Sequence, residues 1–315
     1  MKEQLKATTR RMIPILAQIV QRYLPGYKIE ELAAGEKIKA REFSYSAQVY
    51  LLMLGQLAHV FSLNELVDLS TIFSGELRRI RGIEAVKLTT FSHANRTRNP
   101  AVMQKFFWLV YGMFARADPA FTNPRHKGAL AKFKMRGIYA VDSTTIQLAY
   151  WCIKWAKHRQ RKAAVKLHMV ANVANMLPRF AVVGKASEHD SKREEELFAS
   201  LLPGDVGVLD RAYNNFPVLY RQTLQLQSFF GENQNAVEWQ IWAAMLTHLV
   251  LRYIKWKNKV VSSYTRFAAI IKNTIWLKRS LEAVINFYCI APSQSRPPPD
   301  KTMPYLPGFE RLAIA

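Results

Sequence analysis

The chain has 315 residues, half of them apolar, enough for one large domain or two ordinary ones with a real core. Its 45 Lys and Arg stand against 23 Asp and Glu, a formal net charge of +22. An excess of that size goes beyond what solubility needs and favours a polyanionic partner, most often nucleic acid; membrane-surface attraction or a ribosomal role are the plainer alternatives. Two cysteines, Cys152 and Cys289, lie far apart and in no metal-ligand spacing, so neither a disulfide framework nor a cysteine metal site is expected. The polar start Met1 to Lys6 lacks the apolar run of a signal peptide. The longest apolar stretch, Trp239 to Ile254, is interrupted by Gln240, His248 and Arg252. The expectation is a soluble cytoplasmic protein with no membrane association.

In chain order, residues 1–35 read as a short helical arm with basic ends (Lys6, Arg10, Arg11, Arg22), broken at Pro25-Gly26. From Tyr45 to Phe61 the residues Val49, Leu52, Met53, Leu57 and Val60 recur at helical spacing. Ser62 and Asn64 can cap a second helix ending near Gly75. Next come Arg78 to Gly82 and Lys87 to Pro100, a basic, hydroxyl-rich stretch that includes Arg96 and Arg98 and is expected to connect helices. A third helix runs from about Val102 to Ala115. Short helices with a basic connection suit a DNA-binding module; a helical subdomain with a solvated basic face is equally open. His93 has no second ligand at metal spacing nearby and reads as a polar loop residue.

Pro119 to Lys134 reads as a linker, which divides the chain into a helical region 1–118, a linker 119–136 and a further region from residue 137 onward. Gly137 to Leu148 then reads as a strand, apolar and β-branched but for Asp142 and its hydroxyl neighbours. An unpaired carboxylate gains nothing from a buried strand. Asp142 is therefore either a turn former with Ser143 or an ion-binding group carried to a working face. Trp155 to Lys162 reads as a basic turn, Ala163 to Val173 as a second strand, and Arg179 to Gly184 as a third, closing a hairpin around Asn175. Ser191 can cap a helix over Lys192 to Leu202, ended by Pro203-Gly204. Val206 to Asp210 is a fourth strand, again ending in a carboxylate, followed by a short helix from about Pro217 to Arg221.

Three antiparallel strands, a helix and a fourth strand, with acids on the first and fourth, is the order of a ribonuclease-H-like core. Neighbouring strands would bring Asp142 and Asp210 together. Two converging carboxylates suit Mg²⁺, which prefers hard oxygen ligands and keeps waters and substrate phosphates in its shell.

At these residues the chain resembles the DDE transposases of bacterial insertion sequences, in the group named after insertion sequence four. The matching segments are Ala140 to Ile146, Trp155-Ala156, Lys162 to His168, His189-Asp190 and Leu209 to Tyr213. Downstream, Ser228 to Gly231, Asn235 to Val237 and Gln240 to Trp242 also match, and Phe43 to Asn99 is similar to the family's N-terminal helical region. The resemblance implies that Asp142 and Asp210 are the first two metal-binding acids. With Mg²⁺ or Mn²⁺ they would cut and join double-stranded DNA at terminal inverted repeats and target. Arg96, Arg98, Lys162, Lys166 and Arg211 are candidate DNA contacts. Lys166 and His168 help position the site or simply pack their strand, and Asp190 serves the site or caps its helix. Nucleoid association, self-association and pairing with an intact transposase are further expectations.

The family's third acid is a Glu in a pattern of Tyr, two residues, Arg, three residues, Glu, six residues, Lys. No Tyr after Asp210 fits: from Tyr213, Tyr220, Tyr253, Tyr264 and Tyr288 the Glu position holds Tyr220, Gln227, Val260, Ile271 and Ser295. The chain passes almost directly from Asn214–Tyr220 to Leu226–Gly231, segments that a long β-rich insertion, a strand and the Glu helix separate in the family. The expectation is an internal deletion joined near Arg221 to Leu224, leaving a truncated core over 137–225. Glu232 and Glu238 are the candidate substitutes, while Glu194 to Glu196 read as a solvated helix face. Residues 226–290 read as C-terminal helices, basic and Trp/Tyr-interleaved, lying on DNA or simply packed. Residues 291–315 read as a disordered tail.

Overall fold

The computed structural model describes residues 13–38, 40, 42–80, 85–123, 136–149, 152–159, 162–187, 196–197, 199–208 and 229–290; of Asp142, His158 and Arg159 it describes the backbone. Among these residues eight helical segments precede the sheet. They are α1 (Ile15–Tyr23), α2 (Gly26–Ala33), α3 (Tyr45–Leu57), α4 (Leu63–Ile72), α5 (Ser74–Leu77), α6 (Leu88–Thr97), α7 (Pro100–Ala117) and α8 (Pro119–Thr122). The short α9 (Ile153–Ala156) lies between strands. After the sheet come α10 (Gln234–Lys257), α11 (Tyr264–Thr274) and α12 (Leu281–Ile285), the last running into a π-helical turn at Asn286–Ile290. The fold is mixed α/β, a sheet with helices before and after it. Among the described residues no helix is long and apolar enough to cross a membrane.

Capping chemistry explains several helix starts. Ser44 Oγ accepts from the Ala47 amide, Ser62 Oγ from Glu65 and Asn99 Oδ1 from Ala101, with Pro100 opening α7. Helix α3 is buried along all thirteen residues, as a helix apolar on every side must be. The long α10, capped by Asn233, packs against α7, α3 and α6, and buries Trp239 and Trp242. Helices far apart in sequence thus share one core.

Several expectations are corrected here. From residue 13 onward the N-terminal segment is no arm: Ile15, Leu16, Ile19 and Val20 are buried, and the first amides of α1 donate to the carbonyls of Leu277 (3.1 Å) and Ile275 (3.0 Å). Its apolar stripe requires a partner, and the 275–281 segment supplies it. The second helix stops at Ile72, and Gly75 falls inside α5. The stretch from Lys87 to Pro100 is a helix over Leu88–Thr97, not a connection. Its Thr, Ser and Asn residues are weak helix formers, but Phe91, Ala94 and Asn95 form a buried stripe that packing holds helical. The basic turn at Trp155–Lys162 contains the end of α9 and the short strand β2 (Lys157–Arg159). The linker expected from Pro119 begins as α8, with Phe121 buried; residues 124–135 lie outside the described set. For α10, packing rather than DNA contact accounts for its Trp residues up to Trp242, while Trp256 at its far end is 40% exposed.

The strands are β1 (Gly137–Leu148), β2, β3 (Lys162–Asn172), β4 (Pro178–Lys185) and β5 (Asp205–Val208). Strand β3 pairs antiparallel with β1 on one edge, and with β4 and β2 on the other; β5 pairs parallel with the opposite edge of β1. The hairpin expected around Asn175 is present. Asn175 fixes the turn by accepting from Leu177 N and donating to the carbonyls of Phe121 and Thr122. One sheet face, with Ala140, Ile146, Val165, Leu167 and Met169, joins the main core; the other places Tyr139 and Val170 against Leu197. The expected helix from Lys192 is described only at its end, and the segment 209–228, with the short helix expected at Pro217, lies outside the described residues.

Candidate active site

Strand β1 is central, flanked by β3 and β5, and position 142 falls in its middle, opposite Met169 of β3. Each paired β1 residue faces the β5 residue 68 positions later, from Gly137 with Asp205 to Ala140 with Val208. The same 68 positions separate Asp142 from Asp210. Asp210 itself lies outside the described residues, as do Arg211, His189 and Asp190.

The antiparallel register sets Ser143 opposite His168 and Thr145 opposite Lys166. Directly opposed residues share a sheet face, and successive residues alternate. Lys166 and His168 therefore sit at the parity opposite to position 142. Lys162 is exposed at the start of β3, next to the exposed Lys157 of β2.

The base of the β1–β5 pair is clamped by a group that sequence reading missed. The Asp205 side chain is fully buried, accepts from the Leu202 amide (2.8 Å) and lies 3.2 Å from Arg179 Nη1. Arg179 also donates to Tyr139 Oη (2.8 Å) and to the Ser200 carbonyl (2.7 Å), and covers the Tyr139 ring. The clamp holds β4, β1 and β5 at one end of the sheet. The only local hint was an acid directly after Pro203-Gly204.

Beyond the far end of β1, a cleft of about 800 Å³ opens between α6, α9 and the turn before α10. Arg96 and Ser92 of α6, Lys154 and Trp155 of α9, and Gly231 to Asn233 line it. Trp155 Nε1 donates to the Glu232 carbonyl (2.7 Å), and Asn235 Nδ2 donates to the Arg96 carbonyl (2.9 Å). These two bonds tie the turn to the sheet side and to α6. Glu232 is exposed at this cleft. Glu238 receives a hydrogen bond from Gln234 Nε2, and burial pushes its carboxyl above the ordinary range against that bond. A raised pKa disfavours the ionised form that a metal ligand needs. Among the described residues no three His, Cys, Asp or Glu come together as a metal site.

Arg98, expected to face DNA, is 4% exposed. Its Nη1 donates to the Ser44 carbonyl (3.1 Å) and Gln48 Oε1 (2.8 Å), its Nη2 donates to the Phe43 carbonyl, and its guanidinium lies 4.2 Å from the Tyr45 ring centre. Its carbonyl accepts from Trp239 Nε1 (3.1 Å). Arg98 is structural, because its donors are spent on the Phe43 and Ser44 carbonyls and the Gln48 side chain at the start of α3. Arg96, two residues earlier, is exposed.

Comparison with known proteins finds two similarities. Residues 134–290 match the family model described as "Transposase DDE domain". A segment of 77 residues is 31% identical to "Putative transposase y4zB" of Sinorhizobium fredii, covering 24% of this chain and 22% of that protein. The match thus spans under a quarter of that relative's length. No solved structure matches. Over residues 134–290, this chain is similar to the transposase DDE domain.

Proposed function

We propose that this chain is, by descent, an insertion-sequence transposase of the insertion-sequence-four group, with a shortened ribonuclease-H-like core that binds double-stranded DNA at terminal inverted repeats. The single observation that carries this reading is the parallel β1–β5 register. Were that offset of 68 to continue by two residues, position 210 would come beside position 142. Two carboxylates on adjacent parallel strands fit Mg²⁺ or Mn²⁺, since such an ion keeps open positions for water and phosphate oxygens. When bound, the ion supplies activation of a water or 3′-hydroxyl and stabilises the leaving oxygen at phosphorus. The chain's own part is to fix the two acids: β5 is held against β1 by the Arg179–Asp205 clamp, and β1 is backed by β3. Lys162 and Arg211 would counter the phosphate charge near them.

The missing third acid argues for an internal deletion near Arg221 to Leu224 and for weak or absent catalysis. Neither Glu232, at the cleft, nor Glu238, hydrogen-bonded with a raised pKa, is an obvious replacement. That observation favours a second reading, a DNA-binding remnant that occupies the repeats or pairs with an intact transposase.

The test is cleavage of a labelled duplex carrying the repeats that flank the coding sequence. Mg²⁺-dependent cleavage abolished by Asp142→Ala or Asp210→Ala supports the enzyme. Cleavage that survives either substitution sinks the site assignment. Sequence-specific retention of the duplex without cleavage supports the remnant.

A further inference from the structure

We infer that helix α6 is the element that reads duplex DNA, with its outward face in the major groove and Arg96 and Lys154 gripping the backbone as the duplex passes toward the sheet. This rests on the transposase reading and names the surface that would carry its specificity.

At 100° per residue, the exposed positions Leu88, Ser92, Arg96, Thr89, His93 and Thr90 of α6 lie on one arc of about 200°, which also holds the half-buried Thr97. Phe91, Ala94 and Asn95 fill the opposite arc and are buried. The outward arc has no carboxylate. It offers hydroxyls, an imidazole, one guanidinium and the half-exposed Leu88, with exposed Lys87 just before the helix. Those groups match what a major groove presents, namely acceptors and donors on base edges, thymine methyls and flanking phosphates. Exposed Glu42 shares a pocket with Thr90 and His93 and bounds the arc on that side, and exposed Glu65 and Asp68 stand on the neighbouring α4.

The helix is also held rigidly from behind. Gln48 Nε2 donates to Asn95 Oδ1 (2.8 Å), and Arg98 donates to the other end of the Gln48 amide. The buried polar chain couples α6 to α3, so an outward side chain has a fixed base. At its C-terminal end α6 borders the cleft, where Arg96 and Lys154 line the same space. Exposed Lys157 and Lys162 continue the line of cations along α9 and β2 to the start of β3. Glu232, the acid of that cleft, lines it together with Arg96 and Lys154. With a net charge of +22, charge complementarity selects a polyanion as the occupant, and the hydroxyl-rich arc selects one with readable edges.

The experiment is selection by the full chain from a pool of random 30-base-pair duplexes, about three turns, followed by anisotropy titrations of the selected and unselected duplexes. The wild-type chain is expected to enrich one consensus. A Thr89→Ala/Ser92→Ala/His93→Ala variant, whose exposed alanines favour helix, is expected to bind the consensus about tenfold or more weakly and the random pool almost unchanged. Arg96→Ala with Lys154→Ala is expected to weaken all duplexes alike and flatten the salt dependence by about one in slope for each cation removed. Circular dichroism and thermal melting establish that each variant is folded. An unchanged consensus and affinity in the folded triple variant overturns the proposal, as does a wild-type chain that enriches nothing. Loss of cleavage activity with selection intact leaves this inference standing and counts against the catalytic reading alone.

Discussion

Arg96 and Arg98 lie two residues apart in sequence and meet opposite environments. Two residues carry the chain about 200° around the end of α6, so Arg98 donates to three acceptors inside while Arg96 borders the cleft. Replacing Arg98 by Ala removes its bonds to the Phe43 and Ser44 carbonyls and to Gln48 Oε1, and is expected to destabilise the chain by about 3 kcal/mol in chemical denaturation. Lys would not restore it, because the interaction uses the planar fork of the guanidinium. Gly231 is similarly constrained: a Cβ there would lie 2.5 Å from the Ala236 Cβ, which the first turn of α10 cannot move aside. Gly231→Ala is expected to cost about 1–3 kcal/mol and to loosen the turn, read as faster amide exchange at Phe230 and Ala236. His248 sets a pH dependence. Its full burial, then Arg252 beside it, hold its pKa well below the ordinary value. The folded state therefore disfavours the protonated ring. Stability from this group is complete above about pH 6.5 and falls as pH drops below it, by up to about 1.4 kcal/mol per pH unit. Melting at pH 7.5 and 5.5 should show the loss, and His248→Gln should shrink it.

The secondary-structure elements differ in how openly the sequence declares them. Strands β1, β3 and β4 were legible because β-branched and apolar runs bounded by turn residues leave little choice. Helix α3 was legible from its periodic apolar residues, α4 from its Ser62 cap and α7 from its apolar run, while the Ser44 and Asn99 caps went unread. Helix α6 was not, since three apolar positions hide among hydroxyls that prefer turns. Strand β5 was legible as a strand, but not its anchoring. The buried carboxylate of Asp205 depends on Arg179, so Asp205→Ala is expected to cost about 3 kcal/mol and to speed amide exchange at Val206 and Val208 beyond that at the β3–β4 pair. If those amides respond no more than the rest of the sheet, the clamp does not anchor β5.

Across the whole molecule, the first and last helices make one body. Helix α1 is bonded through its amides to the 275–277 carbonyls, and α10 fills the space among α3, α6 and α7 with two Trp side chains. A fragment holding residues 1–118 alone would expose the apolar faces that α10 covers. It is expected to lack a cooperative melt and near-ultraviolet dichroism, whereas the full chain shows both. A cooperative transition in the fragment would refute the shared core. The Asn235 and Trp155 bonds tie α6 and α9 to the same turn, so a duplex on α6, as proposed, would lie beside α9.

Composition and local pattern were enough for the charge balance, the strands, several helices and the two acids 68 residues apart. These are properties of residues and their near neighbours, governed by propensity, capping and spacing. Only the folded chain reveals that Lys87 to Thr97 contributes a helix, that Arg98 is inside and Arg96 outside, and that β5 joins β1 in parallel at the same offset of 68. Burial and strand pairing depend on surfaces brought from distant parts of the chain, so no local pattern can specify them.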